Sequence, residues 1–185
     1  LLSIGEKMFR EQGFHNTGTE EILEKAEYPR SSFYHHFKNK NGFGVQAVEF
    51  YGNNIKELLV GILSDPKVDS PVERLRAYFS MVSTYQQKSS YNSCCLIQRF
   101  SIDAGEQEGD LQQASYEQFK AWVKIASNCI GEGQDKGEIR KDLSTEQISE
   151  FLFSMIYGAF TIGRLSRDPK ELDKKMDLAF NLISI

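Results

Sequence analysis

Positive charge, cysteine, proline and long apolar runs are all scarce in this chain. Its 22 lysines and arginines are outnumbered by 26 acids, for a net charge of −4 and a pI near 5.5. That balance excludes association with polyanions through bulk charge alone, because such affinity rests on neutralising phosphates. Three cysteines, an odd number, argue against a disulfide framework and for a reducing, cytoplasmic setting. No stretch reaches the roughly 20 apolar residues of a membrane span, and no charged segment followed by an apolar core marks a signal peptide. A soluble chain with no membrane partner is expected.

Four prolines in 185 residues leave long stretches free to be helical. A chain of this length can bury roughly 70% of its unfolded surface, so neither metal nor disulfide is needed for stability. Paired carboxylates, a nucleophile beside a base, a phosphate-cradling glycine loop and metal-ligand spacings such as Cys-x-x-Cys are also missing. No catalytic residue, metal or cofactor is expected. There is no internal repeat and no low-complexity linker.

What is present is helical period. An amphipathic segment carrying Leu1, Ile4, Met8 and Phe9 opens the chain. Thr17 as N-cap, with Glu20 three residues on, reads as a capping box for a short second helix ending near Ala26. Glu27-Tyr28-Pro29 then forms a turn, and a helix over 30–37 places Phe33 and Phe37 on one face while Ser31, Ser32, Tyr34 and His35 point elsewhere. Residues 27–40 hold three cations, Arg30, Lys38 and Lys40, against one acid, Glu27. Two short helices joined by a tight turn form the helix-turn-helix, whose second helix enters the DNA major groove. The competing reading is a solvated helix face that touches nothing.

Further caps divide the remainder. Asn39 opens a long helix to about Leu63 with Val48, Ile55, Leu58, Leu59 and Ile62 on its apolar side. Ser70-Pro71-Val72-Glu73 starts the next, buried through Val72, Leu75, Phe79 and Val82. A loop containing Tyr91 leads to a helix from Cys94 to about Ala104. Leu111, Ser115, Phe119, Trp122, Ala126, Cys129 and Gly133 line a long helix that ends at Lys136-Gly137. Ser144 with Gln147 caps another, and Asp168-Pro169-Lys170-Glu171 caps the last. The expectation is an all-α chain of about nine helices, with a helix-turn-helix domain over 1–45 and a larger effector-binding and dimerisation domain over 46–185.

Three segments carry a resemblance. Met8-Phe9 with Gly13-Phe14, then Thr17-Gly18-Thr19 with Ile22, then Ser32 to Phe37 with Asn39-Lys40 resemble, without a gap, the N-terminal domain of TetR-family repressors. Gly137-Glu138-Ile139-Arg140 with Asp142-Leu143 is similar to the turn before that family's last two helices, and Cys95-Leu96-Ile97 resembles a Gly-Cys-Leu segment of one branch. The resemblance implies that Arg30, Ser31, Ser32, Tyr34 and His35 face the groove and flanking phosphates of a double-stranded operator. It further implies that Thr19 caps a phosphate, that Lys40 reaches another, and that a basic arm precedes Leu1. Glu27 stands where the family's turn usually has glycine, and Glu20 where some relatives place a cation.

Aromatic side chains in the body are read in two ways. Singly they are core; as a set beside Gln98 and Arg99 they suggest an apolar cavity with polar anchors, formed by Phe79, Tyr85, Gln98, Arg99, Trp122 and Tyr157. The family resemblance implies a small-molecule effector there. Cys94 and Cys95, at a helix start, are candidate electrophile or oxidant sensors if the dipole favours the thiolate, and otherwise small buried hydrophobes. Small residues and a wide apolar arc on the penultimate helix suggest a two-fold, four-helix homodimer interface. Its nominated residues are Leu152, Met155, Ala159 and Gly163 with Met176 and Phe180 of the last helix. The expected function is a ligand-responsive repressor of a palindromic operator. An architectural or cell-division DNA-binding factor, or a helical binder or enzyme that does not use DNA, are the alternatives.

Overall fold

The structure, a computed structural model, describes residues 1–89, 94–168 and 170–185. Tyr91 and Pro169 lie outside the described residues. Among the described residues nine α-helices follow in order. They are α1 (Leu2–Gln12), α2 (Thr19–Lys25), α3 (Arg30–Phe37), α4 (Lys40–Leu63), α5 (Pro71–Lys88), α6 (Leu96–Asp103), α7 (Gly109–Asp135), α8 (Thr145–Ser166) and α9 (Glu171–Ile183). A 3-10 turn, Glu106–Glu108, precedes α7, and an isolated antiparallel bridge joins Ile139 to Ser184.

Side-chain caps set several starts. Asn39 Oδ1 accepts the Gly42 N–H at 2.8 Å. Ser70 Oγ accepts from Glu73 at 3.2 Å, with Pro71 at the first helical position. Ser144 and Gln147 exchange reciprocal bonds of 3.1 and 2.9 Å, a complete capping box. Thr17 departs from expectation: α2 follows Gly18, while Thr17 is fully buried and donates to the Gly13 carbonyl at 2.6 Å. The open carbonyls at the end of α1 draw that hydroxyl inward, so it is not free to cap α2. The central helix also starts later than expected, at Leu96, with Cys95 as its N-cap residue and Cys94 outside it.

Two compact units result, Leu1–Ile55 with Cys94–Lys120, and Lys56–Ser93 with Ala121–Ile185. The first is built on phenylalanine. Phe9 lies 5.4 Å from both Phe14 and Phe100 and 5.9 Å from Phe43. Phe33 and Phe37 pack on Phe43 at 5.3 and 5.0 Å. Tilted and edge-on rings of this kind add specific geometry to apolar burial. Gly5 permits the approach, since a Cβ there would stand 2.4 Å from the Phe43 ring. Phe100 brings α6 into the same core as the helix-turn-helix.

In the second unit α9 packs on α8 and α5, with Phe79 5.8 Å from Phe180 and Trp122 6.3 Å from Phe153. The Gly137 to Leu143 segment has a structural task here. Gly137, at φ 75°, follows the last turn of α7. Glu138 then accepts from Ser70 Oγ at 2.6 Å and from the Val72 N–H at 3.2 Å. Arg140 donates through its backbone to Ile183 at 2.9 Å and through its side chain to Leu182 at 3.2 Å. This turn therefore fastens the start of α5 and the end of α9, satisfying terminal groups that helices leave open.

Candidate nucleic-acid interface

α2 ends in a Schellman motif. The Glu27 N–H bonds to the Glu24 carbonyl at 3.2 Å and the Tyr28 N–H to Leu23 at 3.0 Å, which places Glu27 at the left-handed position with φ 49°. A carboxylate side chain thus occupies a conformation that glycine takes without strain. Pro29 follows as the N-cap residue of α3. The turn is as short as a helix-turn-helix requires.

Burial of Phe33 and Phe37 on one side of α3 fixes which residues it presents. Arg30, Ser31, Tyr34 and His35 are exposed, Ser32 is half-buried, and Thr19 is half-buried at the first position of α2. Arg30 pairs with Glu20 at 3.0 Å and lies over the Tyr34 ring at 5.6 Å. Lys40 sits over the Phe14 ring at 4.8 Å and donates to the His15 carbonyl at 3.4 Å. Burial pushes its pKa below the usual lysine value, with Glu108 acting in the opposite direction. Lys38, exposed with φ 63° immediately after α3, adds a cation that the sequence motif did not nominate.

Unforeseen in the sequence is a clasp joining α6 to the end of α1. Asp103 accepts the Phe14 N–H at 2.7 Å and Arg99 Nε at 2.8 Å. Arg99 Nη2 reaches the Gln12 carbonyl at 3.2 Å, and His15 Nε2 lies 2.7 Å from the Asp103 carbonyl. At the other end of α6, Arg10 Nε donates to the Cys94 carbonyl at 2.9 Å while Cys94 Sγ donates to the Arg10 carbonyl at 3.4 Å. Gly13, at φ 91°, completes the fit, because a Cβ there would lie 2.1 Å from Arg99 Nη2. Gly13 itself was the visible sign; its partners lie some 90 residues away, beyond the reach of local pattern.

The residues nominated for an effector cavity are not gathered in one compact unit. Phe79, Tyr85, Trp122 and Tyr157 belong to the second, Gln98 and Arg99 to the first. Phe79 and Trp122 are buried in aromatic packing, Tyr157 is half-buried and Tyr85 is 50% exposed. Arg99 is engaged by the clasp, where its guanidinium pairs with Asp103 and reaches the Gln12 carbonyl at the end of α1.

The thiols are largely enclosed. Burial pushes the Cys94 pKa up, Cys95 pushes it further, and Arg99 and Arg10 only oppose this. Desolvation is the largest of these influences and disfavours the thiolate. Cys95 is buried. Cys129 is buried on α7, and burial pushes its thiol up to about 11.

On the last two helices the apolar residues divide into two faces. Of the nominated interface residues, Leu152, Ala159, Gly163, Met176 and Phe180 are buried within the chain and Met155 is half-buried. Their helical period records the packing of α8 and α9 against their own unit. Facing outward instead are Phe151, Ile162 and Leu165 of α8 and Leu178 and Leu182 of α9, with open space beside Gly158.

Comparison with known proteins agrees with this architecture at both ends. Residues 1–43 match the family described as bacterial regulatory proteins, tetR family, and residues 71–179 match the tetracyclin repressor-like C-terminal domain. The chain belongs to the TetR family of DNA-binding transcriptional regulators. It is 30% identical to the HTH-type transcriptional repressor DhaR of Mycobacterium sp. (strain GP1), over 99% of this chain and 90% of that one. It is 27% identical to the transcriptional regulator AcuR of Cereibacter sphaeroides, over 93% of this chain and 78% of the relative. A crystal structure of regulatory protein TetR from Rhodobacter sphaeroides superposes with a TM-score of 0.90 at 25% identity, covering 98% of this chain and 96% of that one. No helix among the described residues is long and apolar enough to cross a membrane.

Proposed function

We propose that the protein is a cytoplasmic, homodimeric repressor that holds a palindromic operator and releases it on binding a small-molecule effector. The observation that carries this reading is α3 itself. Phe33 and Phe37 lock it into the phenylalanine core while Arg30, Ser31, Tyr34 and His35 stand exposed along one short helix, as a groove-reading helix requires. Arg30 is the candidate for guanine; Ser31, Ser32, Tyr34, His35, Thr19 and Lys40 are the candidates for register on phosphate and base edges. The relative named as a repressor, DhaR, supports the direction of control.

One short helix covers half a site, so function calls for two copies with half-sites about one helical turn or a small multiple apart. The outward apolar residues of α8 and α9 support a two-fold bundle as the means of pairing. In this reading residues 1–45 read DNA and residues 46–185 receive the effector and dimerise. Effector and operator are then reciprocally coupled. Oxidant or electrophile sensing at Cys94 and Cys95 is a second reading, favoured by the bond from Cys94 Sγ to the Arg10 carbonyl of α1. Modification of that sulfur breaks a tie to the reading head.

Selection of genomic fragments by the purified protein, followed by footprinting, tests the main reading. A protected inverted repeat is the expected result; failure to enrich any fragment overturns it.

A further inference from the structure

Glu20 is out of place on a surface that approaches phosphate. It occupies the first turn of α2, 61% exposed at its side chain, where an acid adds repulsion toward DNA. Compensation of the helix dipole does not require it, because Glu21 fills that role one position later. Glu21 is itself held by Lys25 at 2.9 Å and by Gln12 at 3.2 Å. Glu20 reaches across the turn instead, with its Oε1 3.0 Å from Arg30 Nη1. The same guanidinium lies over the Tyr34 ring. The arginine of α3 is therefore bracketed by a carboxylate from α2 and a ring from its own helix.

We propose that Glu20 is a positioning residue that sets base preference through Arg30. The inference rests on α3 being the recognition helix. An arginine at a DNA surface has two kinds of partner: guanine O6 and N7, which it grips bidentately, and phosphate oxygens, which carry no sequence information. A carboxylate on one edge of the guanidinium holds the fork in place, leaves its other donors for a base, and repels the phosphate that competes for it. Exposed to water the pair is weak. In a groove from which water has been displaced it strengthens, because the effective dielectric falls. Glu20 thereby lowers affinity for DNA in general and raises discrimination at one base pair, a specificity device that works partly by repulsion.

The test compares wild type, Glu20→Gln, Arg30→Ala and the double variant, by selection from a randomised duplex pool and binding titrations at several salt concentrations. Arg30→Ala identifies the base pair that Arg30 reads, through loss of a preference of about tenfold or more. Glu20→Gln is expected to lower that same preference by about threefold or more, to tighten binding to random DNA, and to steepen the salt dependence by about one phosphate contact. In the Arg30→Ala background Glu20→Gln leaves base preference unchanged, since the coupled partner is gone. Circular dichroism checks that each variant folds. The proposal is overturned if Glu20→Gln tightens every sequence equally with the base preference intact, or if its effect on preference persists without Arg30. A wild-type protein that enriches no sequence removes the recognition-helix reading, and the proposal with it; that outcome differs visibly from enrichment that Glu20 does not alter.

Discussion

The carboxylate of Asp103 accepts the backbone N–H of Phe14 at 2.7 Å, across 89 positions of sequence. Phe14 follows the end of α1 and Asp103 ends α6, so one bond ties the helix-turn-helix to a helix that is remote in the chain.

Removing the link exposes its worth. Asp103→Ala leaves the Phe14 N–H and Arg99 Nε without their shared acceptor, and a hydrogen bond to a charged group contributes about 1.5–3 kcal/mol. Urea unfolding is expected to show a loss in that range, and hydrogen exchange at the Phe14 amide to accelerate. Unchanged exchange there contradicts the role given to the clasp.

Gly13→Ala attacks the same place by sterics. The backbone has φ 91°, and the added Cβ meets Arg99 Nη2 at 2.1 Å. A destabilisation of about 2 kcal/mol or more is expected from strain and collision together. Combination with Arg99→Ala removes the contact with the guanidinium but leaves the backbone strain and the 2.6 Å approach to Asp103 Oδ2, so partial recovery in the double variant is the measurable sign.

At Glu27 the prediction runs the other way. With φ 49°, this residue is strained as any side chain is there, and Glu27→Gly is expected to exceed Glu27→Ala in stability by about 1 kcal/mol. Both variants remove the same charge, so their difference in urea midpoint isolates the backbone.

Cys129 gives a pH signature. Its folded thiol is pushed from 9.0 to about 11 by burial, so above the unfolded value the folded state retains a proton that the unfolded chain releases. Stability attributable to this group is complete below about pH 9 and is lost as pH rises through about 11. Cys129→Ala should flatten that alkaline decline. An equally steep decline in the variant contradicts the assignment.

Much of the fold was legible because caps are local. Asn39, Ser70 and Ser144 each stand one short hop from the N–H they satisfy, and Phe33 with Phe37 marked the buried side of α3 at helical spacing. Thr17 misled because its hydroxyl answers a carbonyl at the end of α1, a choice that sequence spacing does not reveal. Period also identifies a buried face without saying what buries it. Ala159, Gly163, Met176 and Phe180 are therefore inside the chain, while the outward Phe151, Ile162 and Leu165 break the stripe. Arg99 and Asp103 look like an ordinary i,i+4 surface pair until α1 is placed beside them. Residues presented to a ligand obey no period, so spacing alone does not single them out.

Ile162→Glu and Leu165→Glu separate the two faces of α8. Charges on the outward side are expected to yield a folded monomer by size-exclusion with light scattering, since they break association and leave the core intact. Phe180→Ala, inside the chain, is expected instead to destabilise folding by about 3–5 kcal/mol. A dimer unaffected by both outward charges contradicts the proposed interface.

The central claim is that α3 reads DNA through the side chains its phenylalanines hold outward. Its most direct measurement is a gel-shift titration of wild type and Arg30→Ala on a selected operator at fixed salt, with an unrelated duplex alongside. The predicted result is a loss of about tenfold or more on the operator with a far smaller change on the unrelated duplex; equal operator affinity for the two proteins would contradict it.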